Sequence, residues 1–161
     1  PRDWSSDVCS SDLLFLHIFG AFLIAGGGIL GEVLLAASRR TQSSKVALAL
    51  LTAGMRVPML TIPGALLSII FGSLLVMSVG YKFSELWINI SYLAWFVAIG
   101  LSVGVLGPAE RDLHELAKRE VAAGRENCPE LQAALRNPKL SIVTHTLSGM
   151  LILFQIGRAH V

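Results

Sequence analysis

Four side chains stand where an apolar chain gives no reason to place them. They are His17, Glu32, Arg56 and His145. His17 lies in the apolar run LLFLHIFGAFLIAGGGILGEVLLAA, and Glu32 is the one acid of that run. Arg56 opens the next apolar run, and His145 sits in the last one. Polar groups inside a membrane are costly, so each needs a partner or a task. A histidine can ligate haem or a metal, touch a quinone, or donate one hydrogen bond at a packing seam. A carboxylate, a guanidinium and an imidazole at one depth can relay protons or coordinate a substrate. They can also form a structural ion pair that offsets part of the cost of each charge. Both kinds of reading stay open for His17 and for the intramembrane cluster Glu32, Arg56 and His145. No catalytic residue and no metal site is assigned. Cys-x-x-Cys, His-x-x-x-His, Walker and Gly-x-Ser-x-Gly patterns have no suitable match.

These residues need elements to hold them. Of 161 residues, 53% are hydrophobic and 15% charged, with a mean hydropathy of +0.65. Soluble domains carry about 25% charged residues. The composition excludes a disordered chain, a nucleic-acid binder and a disulfide scaffold. Four apolar segments, at about 14–37, 57–79, 86–109 and 140–156, suit a helix of about 20 residues crossing a bilayer. Only a helix satisfies its own backbone at that length in lipid. The expected fold is therefore all-α, a four-transmembrane-helix bundle.

Orientation follows from the cations beside the spans. Arg39, Arg40, Lys45 and Arg56 flank the first connection. Arg111, Lys118, Arg119, Arg125, Arg136 and Lys139 lie in the third. Lys82 is the one cation of the connection on the opposite side. The expected placement is the bacterial cytoplasmic (inner) membrane, multi-pass, with both termini outside. The partners expected are the lipid bilayer and, in one reading, a second copy or a membrane complex. By helical rise His17 and His145 then differ in depth by about 15–20 Å. That argues against one haem shared within a chain, while a His17 pair across a dimer stays open. No cofactor is predicted from the residues; haem remains an alternative at His17.

The connections have their own pattern. Gly80–Glu85 is short enough for a tight turn, with Tyr81, Trp87 and Tyr92 nearby as an interfacial belt. Residues 46–55 read as a helical approach at the inner interface. Pro58 suits a first helical turn, and Pro63 would kink the span. Residues 110–139 hold six acids and six bases and read as a solvated, charged helical cytoplasmic hairpin. Within it Arg111, Glu115 and Arg119 are spaced to pair on one face. The third helix is expected to run to about Gly124, and a short helix to begin at Pro129 and stop at Asn137-Pro138. Close helix packing is expected at Gly27, Gly28 and Gly31, and at Gly100 and Gly104, each set containing a Gly-x-x-x-Gly. His17, Ala21, Ala25, Gly28 and Glu32 share one helical stripe.

Both ends differ in character from the middle. The string RDWSSDVCSSDL resembles the conceptual translation of a short-read sequencing adapter, and the final IGRAHV resembles the same adapter. On this reading 1–13 and 155–161 are scars, and 14–154 is the membrane domain. Cys128 is then the one cysteine left, read as a free thiol on a reducing face.

The run LLFLHIFGAFLIAGGGILGEVLLAASRR, with PGALLSIIFGSLL and Trp87 further on, resembles a bacterial family of predicted integral membrane proteins, DUF2269. The resemblance covers nearly all of 14–154. It implies a four-helix membrane protein of uncharacterised function. The first expectation for its role is a small non-enzymatic subunit or helper. The first helix is also similar to that of copper-resistance D-type proteins and membrane protoporphyrinogen oxidases. Those families use histidines with haem or copper, and only His17 maps onto such a ligand. A haem- or metal-linked redox protein using His17 is therefore the alternative. A proton-coupled carrier using Glu32 and His145 is a further one.

Overall fold

The computed structural model describes residues 4–127 and 129–157, with side chains for 10–127 and 129–150. Cys128 and the extreme ends lie outside the described residues. Everything else is helical or a short link. The helices are α1 (Trp4–Arg40), α2 (Ser44–Gly54), α3 (Pro58–Val79), α4 (Leu86–Leu101), α5 (Gly107–Ala122), α6 (Pro129–Leu135) and α7 (Pro138–Gly157). A π-helical segment, Ser102–Leu106, joins α4 to α5 without a break.

Three helical stretches are long and apolar enough to cross a membrane: Ser10–Arg40, Ser44–Val79 and Leu86–Ala122. Many of their large apolar side chains face outward. Phe22, Met59 and Leu86 are each more than 70% exposed. A helix that is apolar on its exposed face needs a lipid or protein environment.

The chain divides into two compact units. The first combines Pro1–Gly28 with Pro58–Tyr92. Here α1 meets α3 over His17, Gly64, Ala65 and Val76, all buried. α3 begins at Pro58, as expected, because proline's missing N–H is one of the unsatisfied donors of a first turn. It ends at Gly80, whose φ of +81° favours glycine. Glu85 closes the short turn by accepting from the Lys82 backbone N–H at 3.2 Å and the Trp87 indole at 2.7 Å. Tyr81 packs edge-on against Trp87 with ring centroids 5.4 Å apart.

The second unit combines Ile29–Val57 with Leu93–Val161 and holds the main buried core. Leu35, Ala47, Leu51, Leu113, Ala117, Leu131, Leu135 and Leu140 form one cluster. The expected solvated hairpin is corrected by this core. α5 shows one apolar stripe at Leu113, Leu116 and Ala117, continuing to the buried Glu120. α2 is likewise packed rather than merely lying at an interface, since Ala47 is 0% exposed. Apolar residues three and four apart on short helices must bury that face somewhere. Helix boundaries in this region fall close to those expected. α5 stops at Ala122 beside Gly124, with φ of +72°, and α6 starts at Pro129.

The expected Arg111–Glu115–Arg119 pairing is also corrected: among the described residues these three form no ion pair with one another. Glu115 instead lies 3.9 Å from His114 Nδ1. Exposed pairs of this kind contribute little, so geometry elsewhere decides.

Candidate functional site

In the first unit His17 is 8% exposed. Its Nδ1 lies 2.8 Å from the Ser68 carbonyl oxygen. A carbonyl only accepts, so Nδ1 carries the proton and donates. The ring lies against Gly72, where a Cβ would come within 2.8 Å of Nδ1. One turn on, Gly20 and Gly64 bring the two backbones together. A Cβ on Gly64 would sit 2.8 Å from the Gly20 carbonyl oxygen and 2.8 Å from Leu23 Cβ. A Cβ on Gly20 would sit 2.7 Å from Ser68 N. His17 is thus a hydrogen-bonding clasp at a glycine crossing. Nearby, Ser73 donates to the Ile69 carbonyl at 2.7 Å, so the Tyr92 hydroxyl donates to Ser73 Oγ and ties α4 to α3.

The crossing at His17 is built on Gly20, Gly64 and Gly72, none of them among the packing glycines expected from the sequence. Gly27 is buried and Gly28 partly so. Gly31 has only an ordinary contact, since a Cβ there would lie 3.8 Å from Val57 Cγ1. Gly100 and Gly104 are both exposed, and within the chain a Cβ on either meets nothing within 4 Å. The overlooked signal is Gly64, Ser68 and Gly72, a run of small residues four apart on α3, the first two against Gly20 and the third against His17.

The charged cluster lies in the second unit, and the structure does not assemble it. Glu32 is half-buried and Arg56 exposed, and no ion pair joins them among the described residues. The reason is local. Arg56 falls in the turn between α2 and α3, where its backbone N–H bonds to Ala53, and its side chain stays outside. His145 is exposed and bonds within its own helix, Nδ1 to the Ser141 carbonyl at 2.7 Å. Thr144 is buried and donates to the Leu140 carbonyl at 2.9 Å.

Other polar groups hold this unit together. Glu120, with a side chain 4% exposed, pairs in bidentate fashion with Arg125, both distances 2.6 Å. Arg39 Nε donates to the Leu135 carbonyl at 2.9 Å, capping α6. The Ser44 backbone N–H and hydroxyl both donate to the Glu126 carbonyl, at 2.8 and 3.0 Å. Gln132 donates to the Thr41 carbonyl. Thr52 Oγ1 donates to the Leu48 carbonyl, so it accepts from His114 Nε2 at 3.2 Å. Glu110 borders a narrow cleft with Gly31, Leu35, Leu51 and Gly54. In the sequence Arg39 and Glu120 are legible only as loop charges. The five-residue separation of Glu120 and Arg125 across Gly124 carries no unique signal.

What this arrangement does chemically is fasten helices. Among the described residues no three His, Cys, Asp or Glu side chains gather into a group that could hold a metal ion. Neither a curated protein nor a solved structure matched the chain. One family did, described as predicted integral membrane protein and matching residues 12–156. The match takes in both units and nearly all of the three stretches long and apolar enough to cross a membrane, from within α1 to within α7. The chain belongs to DUF2269, a family of predicted integral membrane proteins.

Proposed function

We propose that this integral membrane protein is a non-enzymatic subunit or helper, with four helices crossing the bacterial inner membrane and both termini outside. The observation that carries the reading is the buried core of the second unit. The Lys- and Arg-rich connections fold onto Leu113, Ala117, Leu131 and Leu135 instead of framing a reactive constellation. Such a folded, basic module suits a partner subunit more than a substrate. α7 supports a fourth crossing, because its 20 residues span about 30 Å, the thickness of the hydrocarbon core. The Lys and Arg asymmetry supports the orientation.

The test has two readouts on protein from native membranes. Its native electrophoretic mass should exceed that of the detergent-bound chain, and its visible spectrum should lack a Soret band. A chain that runs alone would overturn the subunit reading. Orientation is read separately, in a Cys9→Ser background. Lys82→Cys should react with an impermeant maleimide added outside intact cells, and Cys128 should not.

A redox role using His17 is the second reading. One observation favours it: Nδ1 donates to a carbonyl, the arrangement that orients ligating histidines. A Soret band or stoichiometric metal that disappears in His17→Gln would establish it over the helper reading. The carrier reading draws no support from the geometry, since Glu32 and His145 share no hydrogen bond among the described residues.

A further inference from the structure

An open groove runs between the last two turns of α1 and the first turns of α2. Its walls are Val33, Ala36 and Ala37 on α1 and Val46 and Leu50 on α2, with Arg40 at its end. Val33 is 58% and Val46 48% exposed, so the walls are apolar yet uncovered. Arg40 is exposed and makes no ion pair among the described residues. It differs in this from its neighbour Arg39, which caps α6. The link between the helices is held firmly, because the Thr41 carbonyl accepts from Gln132 and Thr41 Oγ1 accepts from the Ser43 N–H.

We propose that this groove is a binding site for an anionic phospholipid, with the phosphate at Arg40 and an acyl chain along Val33, Ala36 and Val46. Depth is the first argument. The stretch of α1 long and apolar enough to cross a membrane ends at Arg40, and a crossing helix that ends on a cation places it at the headgroup level. Val33 lies seven residues deeper, about 10 Å by helical rise, in the acyl region. The groove thus changes from cationic to apolar over the same distance as a phospholipid. Charge is the second. The first turn of α2 carries no acid, and Lys45 within it adds a second cation, 3.9 Å from Glu126 and with a side chain 69% exposed. A cation near an anionic lipid surface is attractive, whereas a zwitterionic headgroup presents no net charge to it. Shape is the third. Ala36 and Ala37 leave room that a larger side chain on α1 would fill. The proposal does not depend on the helper reading, because it concerns the membrane that surrounds the chain in any case.

The test reconstitutes the full chain into phosphatidylcholine vesicles. Trace spin-labelled phosphatidylglycerol or spin-labelled phosphatidylcholine is added, and the motionally restricted fraction of each is read. The wild type should restrict phosphatidylglycerol preferentially. Arg40→Gln should lower that preference about fivefold, and Arg40→Lys should keep most of it. Lys139→Gln, a cation that does not line the groove, should change nothing. Ala37→Phe should reduce restriction of phosphatidylglycerol with Arg40 still present. Excess inorganic phosphate should fail to displace the lipid, since it lacks the acyl chain. The proposal is overturned if Arg40→Gln keeps the wild-type preference, if Lys139→Gln lowers it equally, or if phosphate competes fully. Arg40 is an exposed side chain, so its substitution leaves the fold intact and the result interpretable.

Discussion

The glycine crossing of α1 and α3 makes a prediction whose sign is set by geometry. Gly64→Ala adds one methyl group where 2.8 Å separates its position from the Gly20 oxygen and from Leu23 Cβ. Ordinary contact begins near 3.4 Å, so the helices must part by about 0.6 Å. That movement also stretches the 2.8 Å bond from His17 to the Ser68 carbonyl. Overpacking of a close-fitting contact costs about 1–3 kcal/mol. An interhelical hydrogen bond in a membrane contributes about 0.6 kcal/mol. Alanine's better helix propensity returns about 1 kcal/mol. The net is a loss of about 1–2 kcal/mol. Gly100→Ala is the matched control, because its Cβ meets nothing within 4 Å. Only the propensity gain remains there, so stability should be unchanged or up to about 1 kcal/mol higher. Both variants are compared with wild type by reversible dodecyl sulfate unfolding from mixed micelles, followed by circular dichroism. Equal effects of the two substitutions, or a Gly64→Ala protein as stable as wild type, would refute the crossing.

Three further outcomes follow from particular contacts. Leu131, 1% exposed in the core, should cost about 2–5 kcal/mol as Leu131→Ala, measured by urea unfolding in detergent; a surface-like change within about 0.5 kcal/mol would mean the third connection is solvated after all. Arg125→Gln should destabilise more than Glu120→Gln, because it strands a buried carboxylate while the reverse change frees an exposed guanidinium; a double-mutant cycle in the same assay measures the coupling, and a value near zero would remove the pair. His17→Phe should keep the ring volume and lose the donor, lowering stability by about 1 kcal/mol or less in the dodecyl sulfate assay; a change above about 3 kcal/mol would show that His17 does more than bond Ser68.

The membrane character of the chain, its helical content and most helix ends are determined by local sequence. Apolar runs near 20 residues admit only helices in lipid, and Pro58, Gly80, Gly124, Pro129 and Pro138 punctuate them through their own backbone constraints. The family membership is carried by the same runs. What lies beyond local reading is which faces meet. Gly20 has no seam spacing of its own in the sequence and forms a seam; Gly100 and Gly104 carry the familiar spacing and face open space. A Gly-x-x-x-Gly states that a close approach is permitted, while only a partner helix makes it happen. Glu32 and Arg56 look paired in the sequence because both stand at the inner ends of neighbouring helices, and the turn at 55–57 separates them. The charged connection looks solvated because its acids and bases balance. The three-and-four spacing of Leu113, Leu116 and Ala117 is legible in the sequence, but what covers that face is decided only when α2, α5 and α6 are brought together. Helix formation depends on neighbours in the chain, and burial depends on neighbours in space; tertiary structure alone decided the second.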